Sequence, residues 1–212
     1  MNECFFKEYF KYRTEEEANF ISRTLGLFAE KLVELWLKSP NCPYENLGRP
    51  SFYDSNDKYT HITLDFALRD KQTGEIFVTE MKSEIAYNNF KNVILDDKVF
   101  DKKLRKRPFE KFVDLANDTQ LKGNKTSIIV KVNFKKIDVT GCILIWNCAT
   151  QKVIDDFKNN HHIIVITLES ILKDIEQTKL TEFFCKKRKY IDDFFNAVVK
   201  LGYCHNSKTK SI

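Results

Sequence analysis

The sequence predicts a mixed α/β fold, with one central sheet flanked by helices. Three observations carry this expectation. A long amphipathic helical pattern begins near residue 14. Two strand-like segments flank the turn Lys71-Gln72-Thr73-Gly74. A strand, helix, strand order across residues 141–168 requires a crossover and therefore a parallel pair.

The elements follow in order. Thr14 can cap a helix while Glu17 reaches back toward it, and the helix runs to about Lys38, before Pro40. Ala18, Ile21, Leu25, Phe28, Leu32 and Trp36 form its apolar stripe. Residues 39–57 read as a turn-rich break. THITLDFALRD then alternates polar and apolar residues, KQTG turns, and EIFVTEMKSE returns, which together predict one β-hairpin. Residues 85–116 read as helical, divided by Pro108. TSIIVKVNF and GCILIWNC read as strands, QKVIDDFKNN as a helix, HIIVITL as a third strand, SILKDIE as helical, and residues 180–201 as a closing amphipathic helix. His161 and His162 belong to a polar turn, and Trp36 and Trp146 to the core.

At 212 residues, with 42% hydrophobic and 31% charged positions and only six Gly and four Pro, the chain can bury a sizeable core. Its composition excludes disordered, collagen-like and membrane classes. One domain is expected over residues 1–212: a core over about 14–135, a C-terminal elaboration over about 136–204, and a polar tail at 205–212. The six cysteines form no C-x-x-C pair and read as reduced, mostly buried thiols. No signal-peptide-like apolar region opens the chain and no apolar run is long enough for a bilayer, so a cytoplasmic protein without a membrane partner is expected. Charge is divided unevenly: net −4 over residues 1–100 and net +9 over 101–212. Such a split can place acidic chemistry in one half and phosphate attraction in the other.

Pairing Asp70 with Glu75 across the four-residue turn sets the register of the hairpin. Asp65 then stands opposite Glu80, with Lys82 on the same face. Ile62, Leu64, Phe66, Leu68, Phe77, Thr79, Met81 and Ser83 take the other, mostly apolar face. Two like charges side by side repel and call for a cation between them. Mg²⁺ suits one or two carboxylates completed by water and phosphate. Such an ion acidifies a bound water and stabilises charge in phosphodiester cleavage, with Lys82 orienting the water or neutralising developing charge. Mn²⁺ can substitute. His61, on the Asp65 face by parity, is a candidate for substrate contact.

Asp65 on one strand and Glu80-Met81-Lys82 on the next, after a long helix and before a helix and a further strand, resemble the PD-(D/E)xK nuclease superfamily. That superfamily includes restriction endonucleases and Holliday-junction resolvases. SRTLGLFAEKLVELW is similar to the R-x-x-G-x-x-A-E helix of the resolvase and Mrr-like branches, with Arg23, Gly26 and Glu30 on one helical face. The resemblance covers about residues 14–135 and implies a restriction-endonuclease-like core in which Glu30 assists the metal site. Leu64 stands where the family often has Pro. Gly26 inside a helix costs about 1 kcal/mol relative to Ala, and close approach to the sheet or to a substrate backbone would explain it.

Two basic clusters follow, residues 102–107 and 186–189. Lys102, Lys103, Arg105, Lys106 and Arg107, together with Arg23, are the expected contacts to DNA phosphates. The expectation is an Mg²⁺-dependent endodeoxyribonuclease acting on double-stranded DNA. Asp65, Glu80 and Glu30 serve the metal, and Lys82 serves the water. A chain of this size most resembles a type II restriction endonuclease, and cutting both strands of a symmetric site suits a homodimer. The aromatic-rich closing helix offers either a dimer surface or core. A junction-resolvase-like or repair nuclease is the enzymatic alternative. A nucleic-acid-binding protein that keeps the fold without turnover is the other.

Overall fold

The structure, a computed structural model, describes residues 15–54, 57–82, 95, 98–100, 107–120 and 128–206. The elements are α1 (Glu15–Leu37), β1 (Tyr44–Gly48), β2 (Pro50–Asp54), β3 (Asp57–Thr63), β4 (Phe66–Asp70), β5 (Ile76–Lys82), α2 (Arg107–Gln120), β6 (Ile128–Val132), β7 (Lys135–Ile137), β8 (Gly141–Trp146), α3 (Gln151–Asn160), β9 (Ile163–Thr167), α4 (Leu168–Asp174) and α5 (Gln177–Asn206). The chain divides into two compact units, Met1–Asp174 and Ile175–Ile212. Both sheets lie in the first, and the described part of the second is mainly the helix α5.

The larger sheet has the order β1-β4-β5-β8-β9. Its first three strands are antiparallel, and β5, β8 and β9 are parallel. The mixed sheet flanked by helices is therefore as expected. The parallel pair arises where the sequence places it, because β8 is apolar throughout and α3 supplies the crossover to β9. Thr150 caps α3 by accepting the Val153 N–H at 3.4 Å. His161 ends this helix and His162 adopts φ 55°, the polar turn the sequence suggested.

A second, antiparallel sheet has the order β3-β2-β6-β7. It corrects two readings. Residues 39–57 are no simple break, since they contain β1 and β2. Both are short, and β1 lies at a sheet edge with exposed polar residues, so neither shows a clear alternation. Residues 60–70 do not form one strand either. The Leu64 N–H donates to the Pro50 carbonyl at 3.0 Å, in the second sheet, and the Asp65 N–H donates to the Thr79 carbonyl at 3.2 Å, in the first. The chain thus changes sheets between two adjacent residues.

One face of the larger sheet meets α1. Ala29, Leu32, Val33, Trp36 and Leu37 are buried, and the Trp36 ring stands 5.9 Å from that of Tyr44, which in turn stands 6.2 Å from Phe77. The Trp36 indole N–H donates to Asp174 at 3.2 Å, tying α1 to the end of α4. The opposite face carries Val78, Cys142, Leu144, Trp146, Ile163 and Val165. It is buried in one cluster with Phe109, Phe112 and Ala116 of α2, Phe157 of α3, and Phe52 and Val130 of the second sheet. Each fully buried large side chain contributes about 1.5–3 kcal/mol. Trp36 and Trp146 are core, as expected.

Pro108 sits in the first turn of α2, where its missing N–H leaves no helical bond unmade. Most of residues 85–106, read as helical, lies outside the described residues, as do the Thr14 cap and the 207–212 tail. Cys42, Cys142, Cys148 and Cys185 form no disulfide among the described residues. Burial pushes the Cys142 thiol up, which keeps it protonated and unreactive. Among the described residues no helix is long and apolar enough to cross a membrane.

Candidate active site

The register derived from the Lys71–Gly74 turn is the register observed. Phe66 pairs with Thr79, Ala67 with Val78, Leu68 with Phe77 and Arg69 with Ile76, while the Gly74 N–H closes the turn on the Asp70 carbonyl at 2.9 Å. Gly74 has φ 76°, a conformation that favours glycine. The ladder ends at Phe66 and Thr79, and Asp65, the next residue, donates its N–H to the Thr79 carbonyl and accepts the Met81 N–H through Oδ2, so it bridges the two neighbours of Glu80.

The face assignment needs correction. Glu80 and Lys82 point to the face that holds Leu144 and Trp146, their neighbours on β8, and that face is the main core rather than an open polar surface. Leu64, placed by parity on the other face, joins this same cluster, because the strand breaks there and parity no longer applies. Glu80 is consequently only 7% exposed. Burial raises its carboxyl above the usual range, and the nearby Asp65 adds to that effect, while Lys82 and Arg49 oppose it.

Each charged group has a defined partner. Lys82 Nζ donates to Glu80 Oε1. Asp65 Oδ2 accepts the backbone N–H of Met81 at 2.8 Å, and its Oδ1 faces Arg49 Nη2 at 3.4 Å. Arg49 is the participant that sequence reasoning missed. It lies in the stretch read as a break, between β1 and β2, where the chain first crosses from one sheet to the other. Gly48 before it has φ 115°, so this corner favours glycine. The site therefore stands where both crossings meet, the outgoing one at Arg49 and the returning one at Asp65. No motif signals Arg49, since its neighbourhood to Asp65 depends on a second sheet.

Other expected site residues stand apart. Glu30 is half-buried on α1 and makes no hydrogen bond or ion pair with Asp65, Glu80 or Lys82. Among the described residues no group of three or more His, Cys, Asp or Glu side chains is arranged to hold a metal. Close approach to the sheet does not explain Gly26, because a Cβ there would meet nothing within 4 Å among the described residues. His61 belongs to β3, paired with Tyr53 in the second sheet, rather than to the strand of Asp65. Lys102, Lys103, Arg105 and Lys106 lie outside the described residues. The side chains of Arg107, which opens α2, and Arg23, in α1, do so as well.

The donor set fits a hard divalent ion. Asp65 and Glu80 offer hard carboxylate oxygens, and Mg²⁺ takes one or two such groups in place of their present partners Arg49 and Lys82, leaving its other positions to water and phosphate. No protein-family model, curated protein or solved structure matches this chain.

Proposed function

We propose that this protein is an Mg²⁺-dependent endodeoxyribonuclease with a restriction-endonuclease-like core of the PD-(D/E)xK kind, acting on double-stranded DNA as a type II restriction enzyme. The observation that carries the reading is the meeting of Asp65, Glu80 and Lys82 at the point where β4 ends and the chain leaves the sheet. Asp65 and Glu80 would hold the ion, with Mn²⁺ as a substitute. When bound, it supplies Lewis-acid polarisation of a phosphate and acidifies a water molecule.

The remaining roles belong to the chain. The Met81 N–H and Arg49 fix both oxygens of Asp65 in direction, so little reorientation is needed when a cation arrives. Lys82 balances the Glu80 charge in the free protein, and its ammonium is placed to orient a water or stabilise charge developing on phosphate. The apolar wall of Leu144 and Trp146 lowers the local dielectric and strengthens each of these interactions. Glu30, which makes no direct hydrogen bond or ion pair with these side chains, would assist the metal through water, as the resemblance implies.

A homodimer suits double-strand cleavage at a symmetric site. Exposed Phe184, Tyr190 and Ile191 on α5 support that stoichiometry. Free thiols fit a cytoplasmic setting. The deciding experiment incubates the protein with long mixed-sequence linear DNA, and in parallel with branched DNA, in Mg²⁺ or Mn²⁺. Discrete fragments are expected. Preference for branched substrates would move the reading to a junction nuclease, and intact DNA in both ions would overturn an enzymatic function.

A further inference from the structure

The hairpin formed by β6 and β7 turns through two residues, Asn133 and Phe134, with φ 49° and 65°. Two positive φ values define the turn whose twist suits a hairpin, and Asn-Gly is its favoured sequence. Asn133 conforms. Phe134 does not, since a bulky side chain is strained in this region. Its ring is also 97% exposed.

Two further features surround it. Lys131 and Lys136 stand directly opposite one another on one face of the hairpin, a like-charge pairing that disfavours the ladder, and exposed Lys135 follows the turn. The Lys131 ammonium lies 4.7 Å from the Tyr53 ring centroid, on the same solvent-facing side of the second sheet. The opposite side of that sheet carries Phe52 and Val130 into the core.

The hairpin is also joined to the candidate active site. Val132 pairs with Pro50, next to Arg49. A Cβ built on Gly48 would lie 3.4 Å from Val132 Cγ1 and 3.8 Å from Asn133 Nδ2, so the turn abuts the corner that presents Arg49 to Asp65. An exposed aromatic ring at a strained position, with Lys131 and Lys136 on one face of the hairpin and Lys135 on the other, thus follows directly on the segment that abuts the Gly48–Arg49 corner. Duplex nucleic acid answers both the charge and the exposure: its phosphates neutralise the lysines and its base faces cover the ring.

We infer that the β6–β7 hairpin is a nucleic-acid wedge, in which Phe134 inserts between bases of the duplex bound at the Gly48–Arg49 corner while Lys131, Lys135 and Lys136 hold the flanking phosphates. The inference rests on the function proposed above for its choice of partner, and its test separates the two. A pool of mixed-sequence duplexes carrying 2-aminopurine, a base that brightens when unstacked, is titrated with protein in EDTA, and cleavage in Mg²⁺ is scored separately.

Wild type is expected to bind with a rise in fluorescence. Phe134→Gly is expected to lose that rise and bind about tenfold more weakly, although Tm rises by about 2–4 °C because glycine suits the turn. Phe134→Trp should keep both the rise and the affinity. Lys135→Ala with Lys136→Ala should flatten the salt dependence by about two in logarithmic slope. Binding without a fluorescence rise, or wild-type affinity in Phe134→Gly, overturns the wedge, and cleavage by such a protein would leave the nuclease reading standing. A rise without cleavage overturns the nuclease reading and supports the wedge. Absence of both binding and cleavage overturns the two together.

Discussion

Asp65 accepts the backbone N–H of Met81 at 2.8 Å through Oδ2, so a side chain takes over a strand-edge donor where β4 has ended. The chain turns toward the second sheet at Leu64, and the carboxylate of the next residue fills the gap it leaves. The same substitution of side chain for backbone fixes Asp65 against Glu80. A local irregularity of the sheet is what assembles the site.

Asp65→Ala, Glu80→Ala and Lys82→Ala should each abolish Mg²⁺-dependent DNA cleavage, with duplex binding in EDTA retained. Asp65→Ala should also cost about 1–3 kcal/mol of stability, since the Met81 donor is left without its acceptor. Near-normal cleavage by either carboxylate variant would refute the site.

Glu80→Gln should stabilise the metal-free protein at neutral pH. Because burial places the folded-state pKa above the ordinary value of 4.5, the favourable contribution of Glu80 is complete only below that value and is lost as pH rises through the raised pKa. The gain in Tm from the amide should therefore grow with pH, by about 2–4 °C for each kcal/mol relieved, and vanish in acid. Thermal melts at several pH values check this, and a gain independent of pH would contradict it.

Adding Mg²⁺ should raise the Tm of wild type, by about 2.7 kcal/mol of stability when the ion is a hundredfold above its Kd. Glu80→Gln should show a much smaller response. Glu30→Gln should keep most of the wild-type response, because Glu30 neither bonds to the pair nor forms an ion pair at the site and would act only through water. A response in Glu30→Gln as small as that of Glu80→Gln would show that α1 joins the site directly on metal binding.

Thr79→Val should leave stability unchanged or raise it by about 1 kcal/mol. The Thr79 hydroxyl is fully buried without a hydrogen-bond partner among the described residues, and removing an unsatisfied polar atom of nearly equal shape relieves its desolvation. Denaturant melts measure the change, and a marked destabilisation would reveal a partner for the hydroxyl.

Neutralising Lys102, Lys103, Arg105, Lys106 and Arg107 together should weaken binding to every duplex and lower the salt slope, by up to about 0.9 for each phosphate that is no longer neutralised. An unchanged slope would leave this cluster as solvated surface and assign phosphate binding to the β6–β7 hairpin.

Much of the fold was legible in the sequence because its signals are local. The α1 helix, the Lys71–Gly74 turn and the strand–helix–strand pattern of β8, α3 and β9 each depend on residues near one another in the chain, and the structure keeps the helix, with Leu32 and Trp36 of its stripe buried, the turn and the crossover. The turn also determined, without further information, the β4–β5 register up to Phe66 and Thr79, since side-chain alternation and loop length together leave one register. Three things were decided only by tertiary structure. The second sheet divides residues 57–70 between two partners, since a backbone N–H follows whichever carbonyl the fold brings near, and periodicity does not record that choice. The burial of Glu80 comes from Leu144 and Trp146 on a neighbouring strand more than sixty residues away in sequence. Arg49 reaches Asp65, and Val132 and Asn133 reach Gly48 beside it, because two sheets meet at one corner, a proximity between distant segments that no local pattern encodes.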